Sequence, residues 1–163
     1  YGISEFSLSE DIGVTRREAR DYIDHYLENY SGVRQYMKDI VEKAKADGYV
    51  TTLFGRRRYL PELKSSNFNL RSFGERVALN TPIQGTAADI IKIAMLHVSE
   101  ALKQQKLHAK LLLQVHDELI VECPVEEAEK VTKLVTEQMQ NVVQLRAPLI
   151  AEAKQGTSWY EAK

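Results

Sequence analysis

The chain has 163 residues, 44% of them hydrophobic, which is enough to bury one core or parts of two. Its net charge of −1 gives no indication of a nucleic-acid partner. Cys123 is the only cysteine, which excludes an intrachain disulfide and predicts a reducing compartment. We expect a cytoplasmic protein without a membrane partner, because no apolar run approaches a membrane span and no signal peptide is evident. An opening at Tyr1 rather than Met favours a fragment.

The charge is unevenly distributed along the chain. Residues 43–76 hold eight lysines and arginines against three acids, whereas residues 117–138 hold seven acids against two lysines. One interpretation is a basic face that meets phosphates and an acidic pocket that meets cations. The other is a pair of solvated helix faces of opposite sign. On charge alone the second interpretation is favoured.

Two helices are predicted in the first fifty residues. Thr15 followed by Glu18 fits a capping box, which opens a helix that ends near Tyr30. A second helix is predicted over residues 33–47, with Gly48 as its stop.

A short basic hairpin is predicted next. Residues 49–53 and 57–60 read as strands around the turn Phe54-Gly55-Arg56, and Pro61 ends the second strand. The turn and its flank hold three consecutive guanidinium groups, those of Arg56, Arg57 and Arg58. They suit contact with phosphates, but a solvated turn is an equally good interpretation.

A long helical stretch is predicted over residues 70–104, with a kink or restart near Thr81 because Pro82 removes a backbone donor. On this stretch Arg76, Asn80 and Gln84 are spaced by four, so they project from one face. All three are donors and suit the acceptors that every base pair offers in the minor groove. An exposed polar stripe is the alternative, and it is favoured if the row stands alone.

Two apolar runs, residues 109–115 and 119–123, predict a strand pair around the polar turn His116-Asp117-Glu118. A helix opened by Pro124 should run to about Val142, and residues 148–153 are expected to form a final strand. Helices first and a small antiparallel sheet with helices afterwards give an α+β fold.

The acidic turn is a candidate metal site. Two strands buried on one face would hold Asp117 and Glu118 on a stiff platform. Mg²⁺ requires carboxylate oxygens at about 2.0–2.1 Å in octahedral geometry, which such a platform can supply. A solvated hairpin turn that happens to be acidic is the alternative, and the pattern alone favours it.

Several stretches together resemble the C-terminal end of bacterial DNA polymerase I, in the A family of polymerases. The resemblance covers the whole chain in order, and its two most specific stretches are Asn80-Thr81-Pro82-Ile83-Gln84-Gly85 and Val115-His116-Asp117-Glu118. Further matching stretches are Tyr1-Gly2, Gly55-Arg56-Arg57-Arg58-Tyr59-Leu60-Pro61, Asn69-Leu70-Arg71-Ser72-Phe73, Ala87-Ala88-Asp89 and the ending Trp159-Tyr160-Glu161-Ala162-Lys163.

The resemblance implies a role for each candidate residue. Asp117 would be the second catalytic metal ligand, with Glu118 supporting the metal site and His116 near the primer terminus. Arg76, Asn80 and Gln84 would contact primer and template, and Tyr1 would stack near the templating base. Residues 1–70 would belong to the polymerase fingers and residues 71–163 to the palm.

The resemblance also implies what the chain lacks. The helix that holds the incoming deoxynucleoside triphosphate and the strand with the first catalytic aspartate belong to an N-terminal portion that is absent here. Two Mg²⁺ ions about 3.5–4 Å apart carry the family's phosphoryl transfer. We therefore expect the isolated chain to be nearly inactive and to need that N-terminal portion as a partner, besides primer–template DNA. A non-catalytic primer–template binding module and a remnant without a role are the alternatives.

Overall fold

A computed structural model describes residues 2–162 and has an α+β fold, as the sequence predicts. Two compact units divide within one long helix, the first ending at Thr86 and the second beginning at Ala87. The boundary predicted near residue 70 between fingers and palm is a functional one, and it stays a prediction. Among residues 2–162, none of the helices is both long and apolar enough to cross a membrane.

Three helices open the first unit: α1 (Glu5–Ile12), α2 (Arg16–Asn29) and α3 (Ser31–Asp47). The capping box is confirmed, because the Thr15 hydroxyl accepts from the Glu18 amide at 3.3 Å and the Thr15 amide donates to the Glu18 carboxylate at 2.9 Å. The Thr15 hydroxyl also donates to the Glu18 carboxylate at 2.8 Å, and the two bonds that this carboxylate accepts lower the pKa of Glu18, the bond from the backbone amide being the larger cause. Gly48 ends α3 in the left-handed region with φ 79°, as predicted. Helix α1 has no counterpart among the predicted elements.

A two-stranded hairpin follows, made of β1 (Tyr49–Thr51) and β2 (Arg57–Tyr59) in antiparallel register. Its strands are shorter than predicted, and a 3₁₀ helix over Pro61–Lys64 continues from it. The hairpin encloses the core of the first unit with α3 and the next helix. That core consists of five buried residues, Ala44, Val50, Leu60, Leu63 and Ala78.

Helix α4 runs unbroken over Phe68–Gln104 with Pro82 inside it, so the restart predicted near Thr81 is wrong, while the alternative of a kink there stays a prediction. Proline removes one donor and crowds the preceding turn, yet both flanks are held by tertiary contacts. Ala78 is fully buried in the core before the proline. After it, the Thr86 hydroxyl donates to the carbonyl of Pro82 and accepts from the backbone amide of Leu53 at 2.9 Å. Packing therefore outweighs the local preference for a break.

The second unit contains the predicted strand pair, β3 (Lys110–Val115) and β4 (Glu118–Glu122). Glu118 pairs with Val115, so the turn contains two residues rather than the predicted three. The register shifts between Leu111 and Leu113, which leaves Leu112 as the extra residue of a β-bulge.

Helix α5 (Ala128–Gln140) follows a 3₁₀ turn at Val125–Glu127 and packs onto one face of this hairpin. The core it forms with the end of α4 consists of Val98, Leu102, Ala109, Val131, Leu134 and Val135. The strand predicted over residues 148–153 is wrong, because this segment is irregular. Its Ala151 carbonyl accepts from the Gln140 side chain at 3.3 Å instead of from a neighbouring strand.

Candidate nucleic-acid interface and acidic turn

The polar row of α4 lies in a cavity of about 200 Å³ within the first unit. Arg76, Asn80 and Gln84 all line this cavity, so Pro82 does not displace Gln84 from the row. The other lining residues are Arg58, Phe73, Val77 and Thr81. The two charged side chains of this lining are both arginines. We call this feature the basic cavity.

The cavity has two walls from different elements. One wall is α4, and the other is β2, which supplies Arg58. Five donor side chains therefore line the cavity, four from the helix and one from the strand, together with one exposed phenyl ring. Converging cations, amides and an aromatic ring suit a nucleic-acid strand, because phosphates, base edges and sugar rings present complementary chemistry.

The three guanidinium groups of the hairpin lie in different environments, although the sequence alone does not distinguish them. The Arg57 guanidinium lies 4.7 Å from the centre of the Tyr49 ring, which is a cation–π contact. Arg58 lines the basic cavity, while neither Arg56 nor Arg57 is among its lining residues. The backbone of Arg56 is fixed by Thr52, whose amide donates to the Arg56 carbonyl at 2.9 Å.

A close approach to α4 fixes the hairpin turn. Thr52 is 6% exposed, and a Cβ added at Gly85 would lie 2.7 Å from the Cγ2 of Thr52. No other residue type fits at position 85 without a shift. Because Gly85 directly follows Gln84 in the helix, this contact holds the hairpin and the polar row in register.

The acidic turn has a strained conformation. His116 has φ 54°, which is uncommon for a residue with a side chain. His116 and Asp117 form a two-residue loop, and φ is positive at His116, the first position, where glycine is common in hairpin turns. The Gln114 side chain donates to the His116 carbonyl at 2.6 Å and so braces the loop from one strand. Strain of this kind persists where function or packing requires it.

The carboxylates of Asp117 and Glu118 are exposed. Leu119 and Val121 pack on the core, and strand alternation places Glu118 and Ile120 on the opposite, open face. Leu113 pairs with Ile120 and is 51% exposed. The expected platform is therefore packed on one face only.

The donor chemistry of the turn fits Mg²⁺, since both residues offer exposed carboxylate oxygens. Two carboxylates alone are too few ligands to hold a metal ion. Within residues 2–162, no group of three or more His, Cys, Asp or Glu side chains is arranged to hold a metal ion. The turn can supply part of a coordination shell, and further ligands must come from elsewhere.

Three of the cavity residues, Phe73, Val77 and Thr81, are absent from the sequence-predicted site. Their four-residue spacing next to the polar row was the available signal, but apolar residues at helical spacing are read as core by default. Tyr1, predicted to stack near the templating base, lies outside the described residues.

A second cavity of about 330 Å³ lies in the second unit, beside Cys123. Burial raises the pKa of the Cys123 thiol, and the negative charge of Glu127 adds to this effect. The other lining residues are His108, Lys110, Glu122 and Pro124. This mixture of charges does not define one class of ligand.

Comparison with known proteins identifies relatives over the whole chain. The sequence model of DNA polymerase family A matches residues 1–161. The chain is 58% identical to DNA polymerase I of Bacillus subtilis (strain 168) and 55% identical to that of Geobacillus stearothermophilus, in each case over all 163 residues. It spans only 18% and 19% of the length of these two curated relatives.

A solved structure is similar as well. The polymerase domain of Pol1 from M. smegmatis, in complex with DNA primer-template and dNTP, superposes on 99% of the chain with a TM-score of 0.95. The two sequences are 46% identical, and the match covers 29% of that domain's chain.

Proposed function

This chain belongs to DNA polymerase family A, and we propose that it forms the C-terminal part of a DNA-directed DNA polymerase acting in DNA replication or repair. The reaction adds a deoxynucleotide to the 3′ end of a primer, as the template directs. The observation that carries this proposal is the basic cavity, where Arg58 joins the row Arg76, Asn80 and Gln84. The solved relative with DNA primer-template and dNTP supports the same assignment.

The basic cavity would hold the primer–template near the newly formed base pair. Asn80 and Gln84 can both donate to minor-groove acceptors, which lie at similar positions in every Watson–Crick pair. Such contacts test the shape of a pair without reading its sequence. Arg58 approaches from the opposite wall and suits a backbone phosphate. Together these residues orient the strand whose 3′ end reacts.

Asp117 and Glu118 would hold Mg²⁺, with His116 near the primer terminus. When bound, a pair of such ions activates the attacking hydroxyl and stabilises the leaving pyrophosphate. The chain's own contribution is to present Asp117 at a braced turn, where Gln114 fixes the His116 carbonyl at 2.6 Å.

The isolated chain would then be nearly inactive. Its carboxylates are too few for the metal site, and the chain spans 18% of its B. subtilis relative. The remaining polymerase portion would supply the first catalytic aspartate and the clamp for the triphosphate. Positioning and charge stabilisation carry most of phosphoryl transfer, so a chain without those groups loses most of the rate.

A chimeric polymerase tests the proposal. In it, these 163 residues replace the matching residues of B. subtilis DNA polymerase I, which they match at 58% identity. We expect templated primer extension with Mg²⁺, and we expect Asp117→Ala to lower its rate by about 10³-fold, the size of a lost charge-stabilising contact.

The matched control is Glu122→Ala, since Glu122 is an exposed acid at the far end of the same strand as Glu118. We expect this variant to extend primers within about twofold of the parent chimera, because surface substitutions have small effects. A chimera that extends equally well with Asp117→Ala would overturn the catalytic role of the turn.

A second function, a non-catalytic primer–template binding module, is favoured for the isolated chain by one observation. The basic cavity is formed by the chain's first unit alone, whereas the acidic turn supplies only part of a metal site. Duplex binding that weakens steeply with salt and does not need Mg²⁺ would support this function. Binding that requires Mg²⁺ would contradict it.

A further inference from the structure

The basic cavity presents an apolar row beside its polar row. Phe73, Val77 and Thr81 are spaced by four along α4, as are Arg76, Asn80 and Gln84, and all six residues line the cavity. The two rows therefore run side by side on the helix. Phe73 is 45% exposed although it is aromatic, and Val77 is half-buried against the core.

When the polar row of α4 contacts base edges in the minor groove, the apolar row beside it contacts the sugars of the same strand. The minor groove is the face on which an RNA strand displays its 2′-hydroxyl groups. A hydroxyl pressed against the Phe73 ring would lose water and gain no partner from the phenyl group. Leaving such a group unsatisfied is costly, whereas a deoxyribose has only C–H groups at the 2′ position.

We propose that Phe73, supported by Val77, is a sugar-selecting residue that favours a deoxyribose strand over a ribose strand in the bound primer–template. The inference rests on the proposed function and assigns the same cavity a selectivity for DNA. Phe73 acts on the sugar of a nucleotide already in the duplex, so this selection is separate from any choice of the incoming nucleotide.

The composition of the apolar row predicts where selection occurs. Thr81 carries a hydroxyl, which can donate to or accept from a 2′-hydroxyl. Phe73 and Thr81 are separated by eight residues, roughly 12 Å along the helix, which corresponds to about three to four nucleotides of one strand. Selection should therefore be strong at one nucleotide and absent about three to four nucleotides away.

The test uses the chimeric polymerase and primers with a single ribonucleotide at successive positions behind the 3′ end, and templates substituted in the same way. The measured quantity is kcat/KM on the all-DNA duplex divided by kcat/KM on the substituted duplex. We expect this ratio to reach about tenfold at one position, the size of an unsatisfied hydroxyl. Phe73→Ala should lower the ratio at that position to about twofold, because water can then reach the hydroxyl.

Two further variants test whether a change in the ratio is specific to the side chain at position 73. Phe73→Asn supplies a hydrogen-bond partner for the 2′-hydroxyl and should lower the ratio further, to about one. A general loss of rate in this variant cancels, because both kcat/KM values in the ratio fall together. Phe68→Ala is the matched control, since Phe68 is 70% exposed on the same helix but does not line the cavity. It should leave the ratio at about tenfold.

The outcomes separate this inference from the function on which it rests. If the chimera extends all-DNA primers and Phe73→Ala leaves the ratio unchanged, sugar selection by Phe73 is wrong while the polymerase function stands. If the chimera does not extend all-DNA primers, the proposed function fails, and this inference fails with it.

Discussion

The basic cavity and the acidic turn differ in how much of each the chain completes. The cavity takes both walls from the first unit, one from α4 and one from β2. The acidic turn sits on a two-stranded hairpin that is packed on one face, with Leu112 and Leu113 each 51% exposed. The proposed nucleic-acid surface is therefore formed by the first unit alone, whereas the proposed metal site has only part of its ligands in the described residues.

Because of this difference, we expect nucleic-acid binding and catalysis to depend on different regions of the chain. Nucleic-acid affinity should depend on residues of the first unit and be measurable on the isolated chain. Catalysis should depend on Asp117 and be measurable only where the remaining ligands are supplied.

Loss of core volume in the first unit has the largest expected effect. Leu60 is 2% exposed and directly follows β2, the strand that carries Arg58. Leu60→Ala should lower the free energy of unfolding by about 3 kcal/mol, as buried leucine truncations do, and loosen the cavity wall. Urea denaturation and fluorescence anisotropy with a labelled duplex measure the two effects.

Leu134→Ala is the matched control in the second core, where Leu134 is 4% exposed. It should have a similar cost in stability, yet leave duplex affinity unchanged while the chain is folded, because no residue of the second core lines the basic cavity. An equal loss of affinity in both variants would contradict the assignment of binding to the first unit.

The two neighbouring arginines of β2 should differ in duplex binding. Arg58→Ala removes a cation from the cavity and should weaken binding about tenfold, and reduce the salt dependence by about one phosphate contact. Arg57→Ala removes a cation that lies on the Tyr49 ring, and should weaken binding less than about twofold. Anisotropy titrations over a series of salt concentrations measure both quantities. Equal losses would show that the hairpin turn acts as an undivided basic patch.

Glycine substitutions should have opposite effects at two helical positions. Gly85→Ala places a Cβ 2.7 Å from the Thr52 side chain and should destabilise the chain by about 1 kcal/mol, since overpacking outweighs the gain in helix propensity. Gly32 has nothing within 4 Å of an added Cβ, so Gly32→Ala should stabilise by about 0.5–1 kcal/mol. Thermal unfolding distinguishes the signs, and stabilisation by Gly85→Ala would refute the close approach.

The smallest expected effect is a change in acid stability of the second unit. Glu127 accepts from the His108 amide at 2.9 Å and lies 3.0 Å from its ring nitrogen, and the side-chain contact is the main cause that lowers the pKa of Glu127. A lowered folded pKa gives stability that is complete above the ordinary glutamate pKa of 4.5 and lost as the pH falls through the folded value.

Glu127→Gln should therefore flatten the decline in unfolding free energy below about pH 4.5, which denaturation at several pH values measures. Glu126→Gln is the control, because it removes an equal charge from the adjacent residue and leaves the His108 contacts intact. An unchanged pH profile in Glu127→Gln would show that this pair contributes nothing to stability.

The features that the sequence predicts correctly are those with a local physical cause. The Thr15–Glu18 capping box and the Gly48 stop are set within a few residues by backbone donors and a positive φ. The hairpin turns follow from short apolar runs flanked by polar residues. Helix α1 is not predicted because it has only eight residues, and of its apolar residues only Leu8 and Ile12 are at the helical spacing, while Phe6 is not.

The features that the sequence does not predict depend on contacts between distant segments. Pro82 indicates a break, but the Leu53 amide and the buried Ala78 stabilise the helix on either side. The bulge at Leu112 has no local signal and appears only in the strand register. The separate environments of Arg57 and Arg58 depend on where Tyr49 and α4 lie. The catalytic and metal-binding roles of His116, Asp117 and Glu118 stay predictions.

The most direct measurement compares templated primer extension by the isolated chain and by the chimeric polymerase, each with and without Asp117→Ala. We expect extension by the parent chimera, a loss of about 10³-fold with Asp117→Ala, and no extension above background by the isolated chain. Extension by the pure isolated chain that disappears with Asp117→Ala would show that the proposed need for further metal ligands is wrong, because 163 residues would then complete the metal site by themselves.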